Sequence, residues 1–257
     1  MVDLLNLIKL EINKIFKPVL ISLIITTLVT MGSLINVVYT YSVPHTFEFW
    51  NISLDYISLL FPVFVVCPIC WVMYDERRNN FIKYTFPRVS KKEYLLSKWI
   101  VCILSSFVII FIPMLLSGAA SFLFSNYVVQ PKSYEPNFYT NLFMPDFMMN
   151  HTFLYIFFHC IWDGILAMII GTMGFVFSLY LDNILVILTA PFIYSILENF
   201  IMCTFGMPKK RFVASFYINT MTDTNTLNLL VGPTLAILFI FIFLMYFKIS
   251  KKKIYDI

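Results

Sequence analysis

The chain has 257 residues, of which 60% are hydrophobic and 12% charged, and its mean hydropathy is +0.84. Soluble domains are about 25% charged, so this composition excludes an ordinary water-soluble protein. It indicates an all-α integral membrane protein, because helices satisfy their own backbone hydrogen bonds in lipid. The formal net charge is only +4, and most basic residues flank apolar runs, so the charge does not indicate nucleic-acid binding.

The N-terminal residues 1–17 are predicted to form an amphipathic helix at the membrane surface. At 100° per residue, one arc is apolar and the opposite arc carries Lys9 and Lys14. A helix of this kind lies in the interface plane rather than crossing it. Pro18 then suits the first turn of the first span, where its missing N–H costs nothing. The apolar arc consists of Leu4, Leu5, Ile8, Ile12, Ile15 and Phe16.

Six apolar runs reach the roughly 20 residues that a spanning helix needs. With loops this short there is no room for a soluble catalytic domain, so we predict one transmembrane domain over residues 1–257. Segment 206–226 is too polar to form a further span. The predicted spans lie at about 18–39, 55–74, 98–124, 152–181, 184–205 and 227–247.

The basic residues are distributed unevenly between the two sides of the predicted membrane. With the N-terminus inside, the cytoplasmic segments hold 14 Lys and Arg residues and the outer segments hold 4. This asymmetry follows the positive-inside rule. We therefore predict that both termini are cytoplasmic, together with the large basic loop 75–97 after the second span.

Small residues share one face of the first span and one face of the fourth. In the first span Ser22, Thr26 and Thr30 recur every four residues. Such a face either allows close helix packing or lines a pathway for polar cargo, and both alternatives remain open. In the fourth span a stripe with 3-4-3-4 spacing predicts close packing against another helix. That stripe consists of Gly164, Ala167, Gly171, Gly174 and Ser178.

Two carboxylates, Asp163 and Glu198, lie within the predicted spans. Burying a charge in lipid costs several kcal/mol, so both are expected to face protein or a wet cavity. His159 lies one helical turn from Asp163, and the pair resembles the His-x-x-x-Asp element of intramembrane CAAX-type proteases. That family also needs a Glu-Glu-x-x-x-Arg motif and a second intramembrane His, which have no match here. We therefore expect no catalytic site and no metal site, and we expect His159 and Asp163 to brace helices.

The charged segment after the second span carries the most specific pattern in the chain. Glu76 ends the span, an aromatic stretch over 81–86 follows, then Pro87-Arg88-Val89-Ser90-Lys91-Lys92, and finally Ser97-Lys98. With the interfacial helix, six spans and a short turn after span four, this layout resembles that of ABC-2-type permeases, the membrane subunits of ATP-binding-cassette exporters. Those permeases carry an acidic residue leaving span two, a short helix, a Pro-x-Ser-[Lys/Arg] stretch and a Lys that opens span three.

The resemblance implies that loop 75–97 is a coupling element held by a cytoplasmic ATPase subunit, present in two copies. Apolar anchors ringed by cations suit such docking, although the same cations would also anchor the loop to anionic lipid headgroups. The chain has no Gly-rich phosphate-binding loop, so we expect it to bind no cofactor, with ATP and Mg²⁺ held by the partner. The implied coupling residues are Glu76, Arg77, Arg78, Phe81, Ile82, Lys83, Tyr84, Phe86 and Arg88.

Within this family the composition resembles that of small permeases for bacteriocin immunity and peptide export in bacterial plasma membranes. The resemblance implies an amphipathic or antimicrobial peptide as cargo, and a second permease that is identical or homologous. Exporters of drugs, lipids or lipid-linked sugars share the layout. An intramembrane protease and a non-transporting immunity protein are the alternatives from other classes. The path between two permeases would be lined by Ser22, Thr26, Thr30, Glu198 and Asn199.

Overall fold

The computed structural model describes residues 4–79, 90–128, 143–217 and 226–249. All regular secondary structure in these ranges is helical, as the composition predicts. The predicted coupling residues between 80 and 89 lie outside the described residues. They are Phe81, Ile82, Lys83, Tyr84, Phe86 and Arg88.

The described residues form nine α-helices. Two short 3₁₀ helices, Phe122–Tyr127 and Pro208–Lys210, supplement the α-helices. The α-helices are α1 (Leu4–Thr40), α2 (Thr46–Ser58), α3 (Phe61–Arg78), α4 (Lys91–Ser121), α5 (Pro145–Asn150), α6 (Thr152–Tyr180), α7 (Ile184–Thr204), α8 (Phe212–Phe216) and α9 (Thr226–Ile249).

Five helical segments of the described chain are long and apolar enough to cross a membrane. They lie in α1, α4 with its 3₁₀ extension, α6, α7 and α9. Helices α2 and α3 pass the same test only as a pair, and they are bent by 54° relative to each other. The protein is therefore an all-α, membrane-embedded protein with five such segments, or six if the bent pair counts as one span.

No helix break separates the predicted interfacial helix (1–17) from the predicted first span (18–39), because α1 runs through Pro18. Its buried positions explain the continuity. Leu7, Glu11 and Ile15 share one stripe with the buried Ser22, Thr26, Thr30 and Ser33, so a single packing face extends across the proline. At 1.5 Å per residue, 37 residues measure about 55 Å, which exceeds a hydrocarbon core of about 30 Å.

The second predicted span, 55–74, begins in one helix and ends in the next. Residues 46–58 form the separate helix α2, which His45 caps by accepting a hydrogen bond from the Phe47 backbone N at 3.2 Å. The chain bends at Leu59 and Leu60, and Pro62 stands in the first turn of α3. The backbone N–H groups of a first helical turn have no partner within the helix, so proline loses no hydrogen bond there. Pro62 therefore suits the start of a new helix.

The remaining predicted boundaries agree with α6, α7 and α9 to within two residues. Helix α4 instead begins at Lys91, not at residue 98, and α3 continues to Arg78. Residues 75–78 and 91–97 of the predicted loop 75–97 are therefore helical. Ser90 starts α4 because its Oγ accepts a hydrogen bond from the Glu93 backbone N at 3.3 Å, half of a Ser-x-x-Glu capping box.

Helix α6 occupies the centre of the fold and packs against α3, α4, α7 and α9. Its stripe of small residues faces these neighbours, which confirms the prediction of close packing. A Cβ atom added to Gly171 would lie 2.9 Å from the Cβ atom of Ser106 on α4. A Cβ added to Gly174 would lie 2.8 Å from a methyl group of Val66 on α3.

The helix bundle has two ends, which we name by the residues they hold. The proximal end contains the first turns of α1, the last turns of α3 and α6, and the turn between α6 and α7. The distal end contains α2, α5 and α8. Ring contacts such as Phe47–Tyr155, with centroids 5.4 Å apart, hold the distal helices onto α6.

Candidate functional site

Four charged side chains from three helices meet at the proximal end. Glu11 and Lys14 come from α1, Glu76 from α3 and Lys98 from α4; we call them the ionic cluster. Lys98 Nζ lies 2.8 Å from Glu11 Oε2 and also pairs with Glu76 Oε2. Lys14 Nζ lies 3.1 Å from Glu11 Oε1 and 3.0 Å from Glu76 Oε1. Each cation therefore bridges both carboxylates, and the cluster links α1, α3 and α4.

The start of α4 positions Lys98 for these contacts. The Ser90 cap begins the helix at Lys91, which places Tyr94 and Lys98 on one face, four residues apart. The Tyr94 hydroxyl donates a hydrogen bond to Glu76 Oε2 at 3.2 Å, and Lys98 Nζ lies 5.0 Å from the centroid of the Tyr94 ring. The last turn of α3 is thus held by two successive turns of α4.

Two members of the ionic cluster are buried, Glu76 is half-buried and Lys14 is exposed. Glu11 is 6% exposed and Lys98 is 5% exposed. Removing such charges from water is costly, and the cost is offset only when each charge keeps its partners. The two carboxylates and two ammonium groups balance in formal charge, so the cluster is stable when complete and costly when one member is lost.

Arg77 extends from the same turn of α3 toward the opposite side of the bundle. Its Nη1 donates hydrogen bonds to the carbonyl oxygens of Ser178 at 3.2 Å and Leu181 at 2.6 Å, and its Nη2 pairs with Asp182. These carbonyls end α6, where a cation also interacts favourably with the helix dipole. Glu76 and Arg77, adjacent in sequence, therefore connect α3 to α1 and α4 on one side and to the α6–α7 turn on the other.

The described coupling candidates thus differ in their surroundings. Glu76 and Arg77 are engaged within the chain, whereas Arg78 is exposed. Residues 80–89 leave from α3 and return to α4, the two helices that Glu76, Tyr94 and Lys98 hold together. The chain on both sides of residues 80–89 is therefore held at the ionic cluster.

The pathway candidates of α1 are buried within the chain. Ser22 Oγ donates a hydrogen bond to the Phe64 carbonyl of α3 at 2.8 Å. Thr26 Oγ1 lies 3.3 Å from the Ile109 carbonyl of α4, and Thr30 Oγ1 bonds the Thr27 carbonyl at 2.9 Å. The Ser22 and Thr26 contacts are those of a helix-packing face, whereas the Thr30 bond lies within α1. A pathway role for these three residues stays a prediction.

The other pathway candidates, Glu198 and Asn199, hold the distal segment that follows α7. Glu198 Oε2 accepts a hydrogen bond from the Phe212 backbone N at 2.9 Å, and Asn199 Oδ1 accepts one from Arg211 Nη1 at 2.8 Å. Glu198 and Asp163 are both buried against protein, as expected for carboxylates in spans. Gly232 of α9 allows this arrangement, because a Cβ there would lie 2.6 Å from the Phe212 backbone N.

His159 and Asp163 form a buried pair on α6. His159 Nδ1 lies 3.1 Å from Asp163 Oδ2, and the Trp50 ring packs edge-on against the imidazole with centroids 5.1 Å apart. Glu76 lies near the other end of α6, because its neighbour Arg77 contacts Ser178 there. Ser178 is 19 residues from His159, which is about 28 Å along the helix. The two elements that a CAAX-type protease would combine are therefore far apart.

Sequence reasoning missed the roles of Glu11 and Lys14. Glu11 lies at the edge of the predicted apolar arc, yet it belongs to the stripe of buried positions that includes Leu7 and Ile15. A carboxylate within such a stripe, with a Lys three residues later, is a signal that indicates a buried ion pair. In comparisons with known proteins, no family model matches the chain, and no curated protein or solved structure matches it.

Proposed function

We propose that the chain is the membrane-spanning permease subunit of an ATP-binding-cassette exporter of the ABC-2 type, in a bacterial plasma membrane. The proximal end and both termini face the cytoplasm in this proposal. One observation supports it most: the ionic cluster joins both ends of segment 80–89 to α1. The segment that a partner ATPase would grip is thereby connected to the helices that it would have to move.

The contacts of the proximal end provide a route for force. A partner that displaces segment 80–89 pulls on the last turn of α3 and the first turns of α4. Glu76 and Lys98 pass this displacement to α1 through Glu11, and Arg77 passes it to the α6–α7 turn. Two ATPase subunits, which bind ATP and Mg²⁺, would act on two permeases in this way and open a path between them.

An amphipathic or antimicrobial peptide is the cargo class that we propose. The distal end presents apolar and aromatic side chains, including the exposed Met144, Met149 and Phe153. Methionine-rich surfaces adapt to varied apolar partners. Drugs, lipids and lipid-linked sugars are the alternative cargo classes, and a transport assay with purified components distinguishes them.

Purification through a tag on this chain from its native host tests the ATPase partnership. The intact chain is expected to bring an ATPase subunit with it. Replacing Phe81, Tyr84 and Phe86 by alanine is expected to release that subunit while the permease stays folded. The result contradicts the proposal if no ATPase copurifies with the intact chain, or if the ATPase stays bound to the triple variant.

A matched triple variant controls for the loss of three aromatic rings. Phe200, Phe205 and Phe241 are all exposed and lie outside the proximal coupling region. Replacing them by alanine removes a similar apolar area and should leave the ATPase bound. Thermal unfolding of both triple variants in detergent verifies that each is folded.

A further inference from the structure

His159 and Asp163 form a pair whose polar contacts, within the described part of the chain, are confined to each other. Asp163 is fully buried, and its Oδ2 lies 3.1 Å from His159 Nδ1. Among the described residues, neither Asp163 Oδ1 nor His159 Nε2 has a hydrogen-bond partner. Both atoms are also closed to solvent, so water does not stabilise a charge on the pair.

Two polar side chains contact the imidazole, but their donors are used elsewhere. Trp50 of α2 packs against the ring with centroids 5.1 Å apart, and its Nε1 donates a hydrogen bond to the Met114 carbonyl oxygen at 3.2 Å. The Tyr155 ring lies 6.4 Å from the imidazole, and its hydroxyl donates to the Phe143 carbonyl oxygen at 3.0 Å. These groups therefore do not compensate a charge on the pair.

No cation of the described chain compensates the Asp163 carboxylate either. Helices α3, α4, α7 and α9 pack against α6, but none of their described side chains forms an ion pair or a hydrogen bond with His159 or Asp163. Cys160, three residues before Asp163, is the other titratable group beside the carboxylate, and it is fully buried. A thiol carries no positive charge in any protonation state. The charge of the pair therefore depends on its protons alone.

The number of protons on the pair decides that charge. A neutral imidazole beside a carboxylate holds one proton and carries one negative charge. With two protons the pair has no net charge, either as imidazolium and carboxylate or as imidazole and carboxylic acid. A buried charge without a counter-ion is costly inside a membrane protein, so burial favours the second proton.

We propose that His159 and Asp163 form a proton-binding site inside the helix bundle, which holds two protons and no net charge while the pair is closed to water. The inference goes beyond the proposed transport function. It requires no ATPase, so its test uses this chain alone and succeeds or fails independently of the transporter assignment.

Two spectra of the purified chain in lipid nanodiscs count these protons. The measurement is made at about pH 8, where a solvated His and Asp together hold one proton, since their ordinary pKa values are about 6.5 and 3.9. Nitrogen NMR with isotope-labelled histidine separates imidazolium from neutral imidazole. Replacing His45 and His151 by asparagine leaves His159 as the source of the signal. Infrared absorption by the C=O stretch of a carboxylic acid, lost in Asp163→Asn, reports a protonated Asp163.

The two spectra together give the proton count. An imidazolium without the acid band, or a neutral imidazole with it, corresponds to two protons and is the expected result. A neutral imidazole without the acid band corresponds to one proton and would overturn the proposal. An imidazolium together with the acid band would leave a net positive charge and would also overturn it.

Two controls assign the acid band and test its cause. Asp146→Asn replaces an exposed aspartate at the distal end and should leave the band unchanged. If Asp163→Asn does not fold, isotope labelling of the aspartate carboxyl groups shifts the band of the intact chain and assigns it without a variant. In the denatured chain water reaches both side chains, so the count should fall to one at about pH 8. A count of two that persists there would contradict burial as the reason for the second proton.

Discussion

Lys98 on α4 and Glu11 on α1 form a buried ion pair of 2.8 Å across 87 positions of sequence. Glu76 on α3 completes the contact, since Lys98 and Lys14 each bridge both carboxylates. Three helices are therefore locked together next to the segment that the proposed ATPase would hold. The predictions below test this arrangement and the packing that supports it.

Lys98→Met is expected to destabilise the protein strongly. The variant leaves Glu11 buried and deprives Glu76 of a partner, and breaking a buried ion pair in this way typically costs about 3–5 kcal/mol. Thermal unfolding in detergent measures the loss. Lys92→Met, an exposed lysine on the same helix, is the matched control and should change stability by no more than about 0.5 kcal/mol.

The double variant Lys98→Met/Glu11→Gln provides the corresponding rescue. It removes one cation and one buried anion together, so it should be more stable than Lys98→Met alone. Equal unfolding temperatures for Lys98→Met and Lys92→Met would show that the ionic cluster does not stabilise the bundle.

Arg77→Ala is expected to loosen the α6–α7 turn. The arginine satisfies the Ser178 and Leu181 carbonyls, and leaving such part-buried acceptors without a donor costs about 1–3 kcal/mol. Hydrogen exchange of the backbone amides of residues 178–185 should accelerate. Arg78→Ala removes an exposed neighbouring cation and should leave that exchange unchanged; the same acceleration in both variants would rule out a specific role for Arg77.

Gly171→Ala tests the close packing of α6 against α4. The added methyl group would collide with Ser106, and overpacking of this kind costs about 1–3 kcal/mol. Gly32→Ala is the matched control, because outside the adjacent backbone of α1 no described atom lies within 4 Å of the added carbon. Since alanine favours helix by up to about 1 kcal/mol over glycine, the control should be neutral or stabilising in thermal unfolding. Equal unfolding temperatures for Gly171→Ala and Gly32→Ala would contradict the close packing of α6 against α4.

The proposed orientation, with both termini in the cytoplasm, predicts the labelling of the cysteines. Cys203 is exposed at the distal end of α7, whereas Cys70, Cys102 and Cys160 are buried. A membrane-impermeant maleimide should label Cys203 in intact cells, with Cys203→Ser as the control. In that background Lys92→Cys should react only after permeabilisation. Labelling of Lys92→Cys in intact cells would show that the chain has the opposite orientation.

Much of the fold could be predicted from hydropathy alone. The boundaries of α6, α7 and α9 coincide with their apolar runs because turns or polar segments flank them. The bend at Leu59 and Leu60 could not be predicted, since the run stays apolar across it. The continuity of α1 was missed because Pro18 also suits a helix start, and only the buried stripe from Leu7 to Ser33 shows one packing face.

The ionic cluster was only partly predictable. Lys98 and Glu76 stood out as parts of a motif, but their partner Glu11 comes from a distant segment of the chain. In a membrane protein, apolar faces meet lipid as well as protein, so hydrophobic periodicity does not show which side is buried. The exposed Leu5 and the buried Glu11 illustrate this, because the predicted apolar arc of α1 coincides only in part with its packing face.

Native mass spectrometry of the complex, purified from its host through a tag on this chain, tests whether the chain is the membrane part of an ATP-driven exporter. We expect a complex of two permease subunits and two ATPase subunits. The ATPase subunits should dissociate when Phe81, Tyr84 and Phe86 are replaced by alanine. A chain that purifies without any ATPase subunit would contradict it.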